Sequence, residues 1–531
     1  MDASWNYHHG RGRAGKVGQA SRLPSRAERR GCRTTKASLR SAGQARHLPY
    51  LGGAGKMRPV GMLTFRLAVW VLLSLVVASS NARADKVDHY VETLLKKFNV
   101  PGLSLAVVKD GKVIKSKGYG LANVELNVPA TPSTVYQWAS VTKQFTAAAV
   151  LLLADDHRLK LDERISVYLT NSPPAWSNVT VRHLLNHTSG IKSYTSLPGF
   201  FKDIRKDFTK EELIGLVRDL PLEFEPGARW SYNNTGYFLL GLIIEKVSAR
   251  SYGDFLQERI LGPLDMKTAR VNEQFLIITN RATGYASVSN RWVTSEFVSP
   301  TQPFSAGVLT GTVFDLAKWD AALYSDRVLN AANRKLMWTP TRLNNGKTRD
   351  YGFGWELGEL RGHRYVAHGG GIHGFSTYIL RLLDDKLTVI ALMNGAGNPT
   401  VVARGVANHY VPELLPSSIK PKPDPDPALT KRLKECLREL AAKMDSPLIT
   451  PEFREEYAKS RERAESLSER LKEMKSFTFV ANDPAPPGSE RRGVAVSRLV
   501  YCKLVGAKET RYYTFELTSD GKVASYQSSE Q

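Results

Sequence analysis

The chain has 531 residues and a net charge of +23, with 42% apolar and 24% charged residues. That length exceeds one typical domain, and the composition excludes a fibrous or disordered chain. The charge does not indicate nucleic acid: residues 1–84 hold fifteen Lys and Arg against Asp2 and Glu28, a net +13 that leaves +10 for the rest. No basic cluster stands out in that remainder, so no nucleic-acid partner is expected.

The N-terminal region has the pattern of a targeting segment. A basic stretch precedes an apolar run over 67–78, which is followed by Ala82-Arg83-Ala84. This order predicts a secretory signal peptide over 57–84 and a periplasmic or secreted protein. The run is shorter than the roughly 20 residues of a membrane span, so an uncleaved anchor with transient membrane association is the lesser alternative. Residues 1–56 are interpreted as a mis-set start or a disordered stretch.

The following region, 85–415, predicts strands at both of its ends and helices between them. Two hairpins are predicted from apolar runs that flank short acidic turns, Leu103–Val108 with Val113–Lys117 and Tyr378–Leu382 with Leu387–Met393. A helix over Thr400–Leu415 closes the region. We therefore predict an α/β domain of the α+β type, in which an antiparallel sheet is flanked by helices and joined to a helical subdomain. The active site is expected where that insertion meets the sheet.

A second domain is predicted after a proline-rich linker. Prolines alternate with polar residues over 416–427, which is typical of a stiff, extended segment. Beyond it, 428–531 predicts a small α+β domain with an apolar helix, a charged helix over 451–474 and closing strands that include 494–505. Cys436 lies on an apolar helix face and Cys502 on a strand face. The sequence leaves two alternatives open, a disulfide between the two cysteines or two unpaired, buried thiols.

Ser-x-x-Lys occurs four times in the chain, starting at Ser140, Ser189, Ser417 and Ser519. Only Ser140 opens a run of helix formers, because the others lie before a glycine, in the linker and in a hairpin turn. Positions three apart share a helix face, so Lys143 can reach the Ser140 hydroxyl. A helix N-terminus stabilises an alkoxide, and a buried lysine can accept a proton. The alternative is a capping serine with an exposed lysine.

Two further groups of residues fit the same chemistry. Tyr232 and Asn234 precede an apolar helix; a phenol beside an ammonium can have its pKa depressed enough to act as a general base, and an amide can orient a substrate carbonyl. The alternative is a turn that caps the helix.

His368-Gly369-Gly370-Gly371 precedes a strand. Glycines such as Gly370 let a substrate backbone approach closely, and the Gly371 N–H could complete an oxyanion hole with that of Ser140. A glycine-rich turn with a surface histidine is the alternative here. His187 and His373 are interpreted as structural loop residues. No metal-ligand spacing occurs, so no metal and no cofactor are expected, and a metal-dependent hydrolase is disfavoured.

The order Ser140-x-x-Lys143, Tyr232-x-Asn234 and His368-x-Gly370 resembles the serine β-lactamase-related, penicillin-binding-protein-like family. It is closest to the class C β-lactamase, DD-peptidase and esterase branch. The resemblance spans about Asp88–Leu415 and is supported by flanking phrases such as Leu184–Gly190, Phe224–Asn234 and Ser305–Gly311.

The resemblance implies a β-lactamase/transpeptidase-like fold and an acyl-enzyme on Ser140. Lys143 and Tyr232 would manage the protons, Asn234 and His368 would orient the substrate, and water would release the acyl group. His368 stands where well-known β-lactamases have lysine, and gives a smaller and conditional positive charge for a substrate carboxylate.

We therefore expect an esterase or D-amino-acid peptidase that acts on small acyl, amide or peptide substrates. Hydrolysis of β-lactams comes second. A catalytically idle binding protein is the alternative from another class, and the intact serine, lysine and tyrosine disfavour it. The sequence leaves the oligomeric state open.

Overall fold

The architecture is given by a computed structural model, which describes residues 86–415, 418–443, 445–458, 461–485, 489–491 and 493–530. The predicted signal peptide, the residues upstream of it and Ser417 lie outside the described residues. Within the described part of the chain, no helix is long and apolar enough to cross a membrane.

Both ends of the region 86–415 contribute strands to one sheet. In chain order the strands are β1 (Gly102–Lys109), β2 (Lys112–Asn123), β3 (Val128–Pro129), β4 (Tyr136–Gln137), β5 (Arg270–Val271), β6 (Tyr285–Val288), β7 (Arg291–Thr294), β8 (Leu309–Gly311), β9 (Thr341–Arg342), β10 (Thr348–Arg349), β11 (Glu356–Leu360), β12 (His363–Ile372), β13 (Phe375–Leu382) and β14 (Leu387–Met393). The main sheet has the order β11-β12-β13-β14-β1-β2-β3 with antiparallel neighbours. The predicted sheet and both predicted hairpins are confirmed.

Helices fill the insertion between β4 and β11 and cover the sheet. They are α1 (86–98), α2 (Thr142–Asp155), α3 (Val181–Leu185), α4 (Lys210–Arg218), α5 (Asn234–Ser248), α6 (Tyr252–Leu256), α7 (Phe304–Gly307), α8 (Val313–Ala322), α9 (Ala331–Met337) and α10 (Pro399–Tyr410). The closing helix stops at Tyr410 instead of continuing to residue 415, because the residue before Pro412 is biased away from helical geometry.

Alternation along β1 separates two hydrophobic cores. Leu103, Leu105 and Val107 belong to one core together with α1 and α10, whereas Ala106 and Val108 belong to the core on the other side of the sheet, which includes α2, α5 and α8. Side chains of successive strand residues point to opposite faces, so a strand buried on both sides reads as a continuous apolar run. The helices that carry the first two sequence motifs therefore lie on one face of the sheet.

A buried ion pair ties α8 to this sheet. Arg381 Nε on β13 donates to Asp320 Oδ1 at 2.6 Å, and Thr388 Oγ1 on β14 donates to the same oxygen at 2.6 Å. The Arg381 and Asp320 side chains are 0% and 1% exposed.

Asp320→Ala is expected to lower the free energy of unfolding by about 3–5 kcal/mol, because it leaves the buried Arg381 guanidinium without its carboxylate partner. Asp384→Ala, which breaks the exposed pair with Arg364, is the matched control and should cost about 1 kcal/mol or less. Urea unfolding of both variants measures the difference. Equal losses would contradict a dominant role for the buried pair.

The C-terminal region has a hydrophobic core of its own. Its elements are α11 (Pro427–Ala441), α12 (Pro451–Ala458), α13 (Arg461–Lys472), β15 (Met474–Pro484), β16 (Glu490–Arg491), β17 (Val494–Ala495), β18 (Arg498–Gly506), β19 (Thr510–Leu517) and β20 (Val523–Glu530). The four-stranded sheet β15-β18-β19-β20 packs against the helices. The charged helix predicted over 451–474 is helical over Pro451–Ala458 and Arg461–Lys472, the parts of it that the structure describes as helix. The strand predicted over 494–505 is two strands in different sheets.

Both cysteines of this region contribute to that core. Cys436 on α11 and Cys502 on β18 are buried, free thiols. Burial raises the pKa of the Cys436 thiol to about 11 and that of Cys502 to about 12. They therefore act as small apolar side chains in the packing of helix against sheet.

Candidate active site

Ser140 lies in a tight turn just ahead of α2. The turn spans Ala139–Val141, and Ala139 has a left-handed backbone with φ of +48°. This conformation is strained for a residue with a side chain, so the surroundings must hold it. The turn is held by the backbone of Trp138. Its backbone N–H donates to the Leu309 carbonyl at 2.8 Å, and its carbonyl accepts from Thr377 Oγ1 at 2.9 Å. The partly exposed Ser140 side chain is thereby fixed between α2 and the sheet.

Gly370 on β12 allows this close approach. A Cβ at Gly370 would lie 2.2 Å from the Trp138 carbonyl oxygen and 3.2 Å from the Ala139 Cβ. Because the nearest atom belongs to the backbone, a side chain at this position must displace the Ser140 turn or the strand. This steric role was not among the sequence predictions for Gly370.

Gly370→Ala is expected to lower kcat/KM by about 100-fold, since a shift of ~1 Å in a nucleophile is enough for such a loss. Gly369→Ala is the matched control, because its Cβ would meet its nearest neighbour at an ordinary 3.4 Å. Steady-state kinetics on one ester substrate compares the two variants. Similar rates for both would contradict the steric role of Gly370.

Lys143 is completely buried and bonded to three neutral oxygens. Its Nζ lies 3.0 Å from Ser140 Oγ, 2.9 Å from Asn234 Oδ1 and 2.8 Å from the Ala306 carbonyl oxygen. Burial lowers the pKa of Lys143 well below its ordinary value. The amide and carbonyl oxygens can only accept, so a neutral amine gives its two N–H groups to them and turns its lone pair toward the Ser140 hydroxyl. That is the arrangement a general base needs.

Asn234 begins α5 and is bonded within the protein at both ends of its amide. Its Oδ1 accepts from Lys143, and its Nδ2 donates to Thr195 Oγ1 at 3.0 Å. The preceding residue, Asn233, caps the helix by accepting from the Gly236 N–H at 2.7 Å. The geometry thus makes Asn234 an anchor for the lysine. The substrate-orienting role predicted from the sequence stays a prediction.

Tyr232 lies against both members of the first motif. Its phenol is hydrogen-bonded to Ser140, and its ring centroid is 4.8 Å from Lys143 Nζ. Burial raises the pKa of Tyr232 and outweighs the opposing effect of the Ser140 hydrogen bond. The expectation of a depressed phenol pKa is therefore wrong for the resting site. The hydroxyl stays protonated and is placed to pass a proton rather than to remove one as a phenolate.

His368 is buried at the start of the glycine run on β12. Its Nδ1 is 2.6 Å from the Gly369 carbonyl oxygen, and its Nε2 is 2.9 Å from the Tyr351 hydroxyl. Burial, with a smaller contribution from the nearby Lys143, lowers the pKa of His368 to about 3. His368 is therefore neutral near pH 7 and supplies no positive charge to a substrate carboxylate. The sequence-based expectation of a conditional charge is corrected on this point.

Gly371 lies two residues before the hairpin turn that joins β12 to β13. It is exposed and pairs with Ser376. Its part in an oxyanion hole remains a prediction. The structure brings Ser140, Asn234 and Tyr232 together around Lys143. The centroid of the His368 ring lies 6.2 Å from that of the Tyr232 ring.

Sequence reasoning missed three contributors to this site. They are the Ala306 carbonyl, Tyr351 and His187. The Ala306 carbonyl is a backbone group, and the phrase Ser305–Gly311 indicated its segment but not its contact with Lys143. His187 was interpreted as a structural loop residue. The centroid of its ring lies 4.5 Å from that of the Tyr232 ring. The quoted phrase Leu184–Gly190 was the available indication for it.

A serine beside a buried lysine, on an antiparallel sheet backed by helices, defines an active-site serine hydrolase with the β-lactamase and penicillin-binding-protein fold. The chain belongs to the Beta-lactamase family, whose model matches residues 87–410.

Three relatives show the range of the family. Penicillin-binding protein 4* of Bacillus subtilis (strain 168) is 34% identical over 320 residues, which cover 57% of this chain and 70% of that protein. A D-aminopeptidase of Gluconobacter oxydans (strain 621H) is 26% identical over 356 residues, 63% of this chain and 64% of its own length. Among solved structures, the octameric penicillin-binding protein homologue from Pyrococcus abyssi matches with a TM-score of 0.56 and 26% identity.

The similarity to the Pyrococcus abyssi structure extends beyond the hydrolase region. It covers 84% of this chain and 95% of the Pyrococcus abyssi chain. Residues 87–410 alone make up a smaller share of this chain. The similarity to that structure therefore extends beyond the hydrolase region.

Proposed function

We propose that the protein is an exported hydrolase that acts through an acyl-enzyme on Ser140, as an esterase or D-amino-acid peptidase on small acyl, amide or peptide substrates. The observation that carries this proposal is the buried Lys143, held by the Asn234 amide and the Ala306 carbonyl with its Nζ 3.0 Å from Ser140 Oγ. Burial favours the unprotonated form of such a lysine, which is then a base in contact with a hydroxyl.

The proposed reaction has two stages. Ser140 Oγ attacks the substrate carbonyl carbon while its proton moves to Lys143 Nζ, and the oxyanion is stabilised by the N–H groups of Ser140 and Gly371. Tyr232 gives its proton to the departing amine or alcohol as the bond to the acyl group breaks, and regains one from Lys143. Water then attacks the ester carbonyl, gives up a proton through the same groups and releases Ser140.

Two observations favour D-amino-acyl and ester substrates over β-lactams. The similarity to the Gluconobacter oxydans D-aminopeptidase covers 63% of this chain. His368 is neutral, so the third motif provides no cation for the carboxylate that β-lactam antibiotics carry. A β-lactamase and an idle binding protein are the competing proposals.

The test treats the protein with a fluorophosphonate and with penicillin, followed by intact-mass analysis. Turnover is then compared for a p-nitrophenyl ester, D- and L-alanine p-nitroanilide and a chromogenic cephalosporin. A fluorophosphonate adduct with faster turnover of the ester or the D-anilide supports the proposal. Faster cephalosporin turnover would show a β-lactamase, and neither adduct nor turnover would show an idle binding protein.

The proposal also includes the location and organisation of the chain. The segment 57–84 would direct export and, if uncleaved, would hold the protein transiently at a membrane. We place the hydrolase domain at 85–415, the linker at 416–427 and the small domain at 428–531. The separate core behind α11 and β18 supports the last of these boundaries.

A further inference from the structure

A row of hydrogen bonds runs behind the active site and ends on His368. The backbone N–H of Asn233 donates to His187 Nδ1 at 3.1 Å, and His187 Nε2 is 3.1 Å from the Tyr351 hydroxyl. That hydroxyl lies 2.9 Å from His368 Nε2, and His368 Nδ1 lies 2.6 Å from the Gly369 carbonyl. Two side chains outside the sequence motifs therefore connect the backbone before α5 to the third motif.

The two backbone contacts fix the direction of every bond in the row. Because an N–H donates to His187 Nδ1, that nitrogen is an acceptor and the ring proton is on Nε2, which donates to Tyr351. Because a carbonyl faces His368 Nδ1, that nitrogen carries the proton and Nε2 is an acceptor. The Tyr351 hydroxyl accepts from one ring and donates to the other. Both imidazoles are neutral in this arrangement, and each nitrogen has a partner of the right kind.

The segment that carries Tyr351 is held tightly against α2. Gly354 has φ of +74°, and a Cβ there would lie 2.7 Å from the Lys143 carbonyl oxygen. Tyr351 itself is 3% exposed, and its ring lies 4.8 Å from the His187 ring. The hydroxyl therefore has little freedom to leave the two imidazoles.

We propose that Tyr351, backed by His187, is a positioning residue that keeps His368 a neutral hydrogen-bond acceptor, so that the site selects acyl substrates without a carboxylate next to the scissile bond. A proton added to His368 would turn Nε2 into a donor, and Tyr351 would have to give up its bond to that nitrogen. The substrate part of this inference rests on the proposed function, whereas the protonation of the two rings does not.

The surroundings of the row also favour neutral imidazoles. The titratable groups that face it are Lys143 from α2, Tyr232 before α5, Tyr237 on α5 and Glu356 on β11. Burial is the largest cause that lowers the pKa of both histidines, and a proton on Lys143 would lower both further. Glu356, whose own pKa is raised by burial, acts on Tyr351 and Tyr232 rather than on His368.

The first experiment uses ¹⁵N-histidine-labelled protein and reads the imidazole nitrogens by NMR, with His368→Asn and His187→Asn spectra for assignment. We expect a proton on Nδ1 of His368 and on Nε2 of His187, with no titration of either ring between about pH 5 and 8. The opposite tautomers, or a titration of His368 near its ordinary pKa, would overturn the proposal whatever the substrate is.

The second experiment compares D-alanyl-glycinamide with D-alanyl-glycine, with release of glycinamide or glycine measured by mass spectrometry. The wild-type protein should prefer the amide in kcat/KM by about tenfold or more, the value of one hydrogen bond to a charged group. Tyr351→Phe keeps the ring and removes the donor. It should shift the His368 titration upward and reduce the preference by about tenfold at pH 6.

Tyr252→Phe is the matched control, because it also removes one buried hydroxyl, bonded to Thr146 Oγ1 at 2.7 Å. We expect it to leave the preference and the His368 signals as in wild type. Equal effects of the two variants, or no effect of Tyr351→Phe on the titration and the preference, would overturn the positioning role. If the wild-type protein cleaves neither dipeptide, the proposed function fails while the NMR result still decides the protonation of the row.

Discussion

Ser140→Ala is expected to abolish covalent labelling by a fluorophosphonate and to lower kcat/KM by roughly four orders of magnitude or more, the scale observed when a serine nucleophile is removed. The physical reason is that Lys143 Nζ, 3.0 Å from Ser140 Oγ, then has no hydroxyl to deprotonate. Intact mass and steady-state kinetics on a p-nitrophenyl ester provide the two measurements. Any residual activity should no longer depend on the protonation of Lys143.

Ser519→Ala is the matched control for this experiment. Ser519 opens another Ser-x-x-Lys sequence, but it is exposed in the turn between β19 and β20. We expect wild-type labelling and kinetics from this variant. An undiminished adduct on Ser140→Ala, or loss of labelling with Ser519→Ala, would move the nucleophile away from the start of α2.

Local patterns were enough to predict the sheet and the first motif. The hairpin β1–β2 follows from an Asp-Gly turn between apolar runs, and the Ser140–Lys143 contact follows from the three-residue spacing on a helix. Both depend on neighbours in sequence. The strand patterns at 103–117 and 378–393 also predicted that the two ends of the region 86–415 pair in one sheet.

The remainder of the site depends on contacts that no local pattern contains. Tyr351 meets His187 across 164 positions and Lys143 meets the Ala306 carbonyl across 163. The protonation states of Tyr232 and His368 were also misjudged, because the sequence does not show how deeply the two groups are buried. Burial raises the pKa of Tyr232 and lowers that of His368. Residue types indicate which chemistry is available, whereas burial decides which groups are charged.

Lys143→Met is expected to lower kcat/KM by about 10³-fold, within the range for loss of a general base. Methionine has a similar length and no proton to exchange, so the change removes the base while it keeps most of the packing. In the wild-type protein kcat/KM should rise with pH as Lys143 loses its proton, and this limb should be absent from the variant. Lys246→Met, on the last turn of α5, is the control and should keep the wild-type profile.

The same substitution has a second readout in stability, with a sign fixed by linkage. Burial lowers the pKa of Lys143 in the folded state below its value in the unfolded chain, so between the two pKa values the unfolded state binds the extra proton. The wild-type free energy of unfolding should therefore rise with pH relative to Lys143→Met, by up to about 1.4 kcal/mol per pH unit within that window. Denaturant unfolding at pH 7, 8 and 9 measures the difference. A constant difference would mean that Lys143 keeps its proton in the folded protein up to pH 9, and would leave Ser140 without its proposed base.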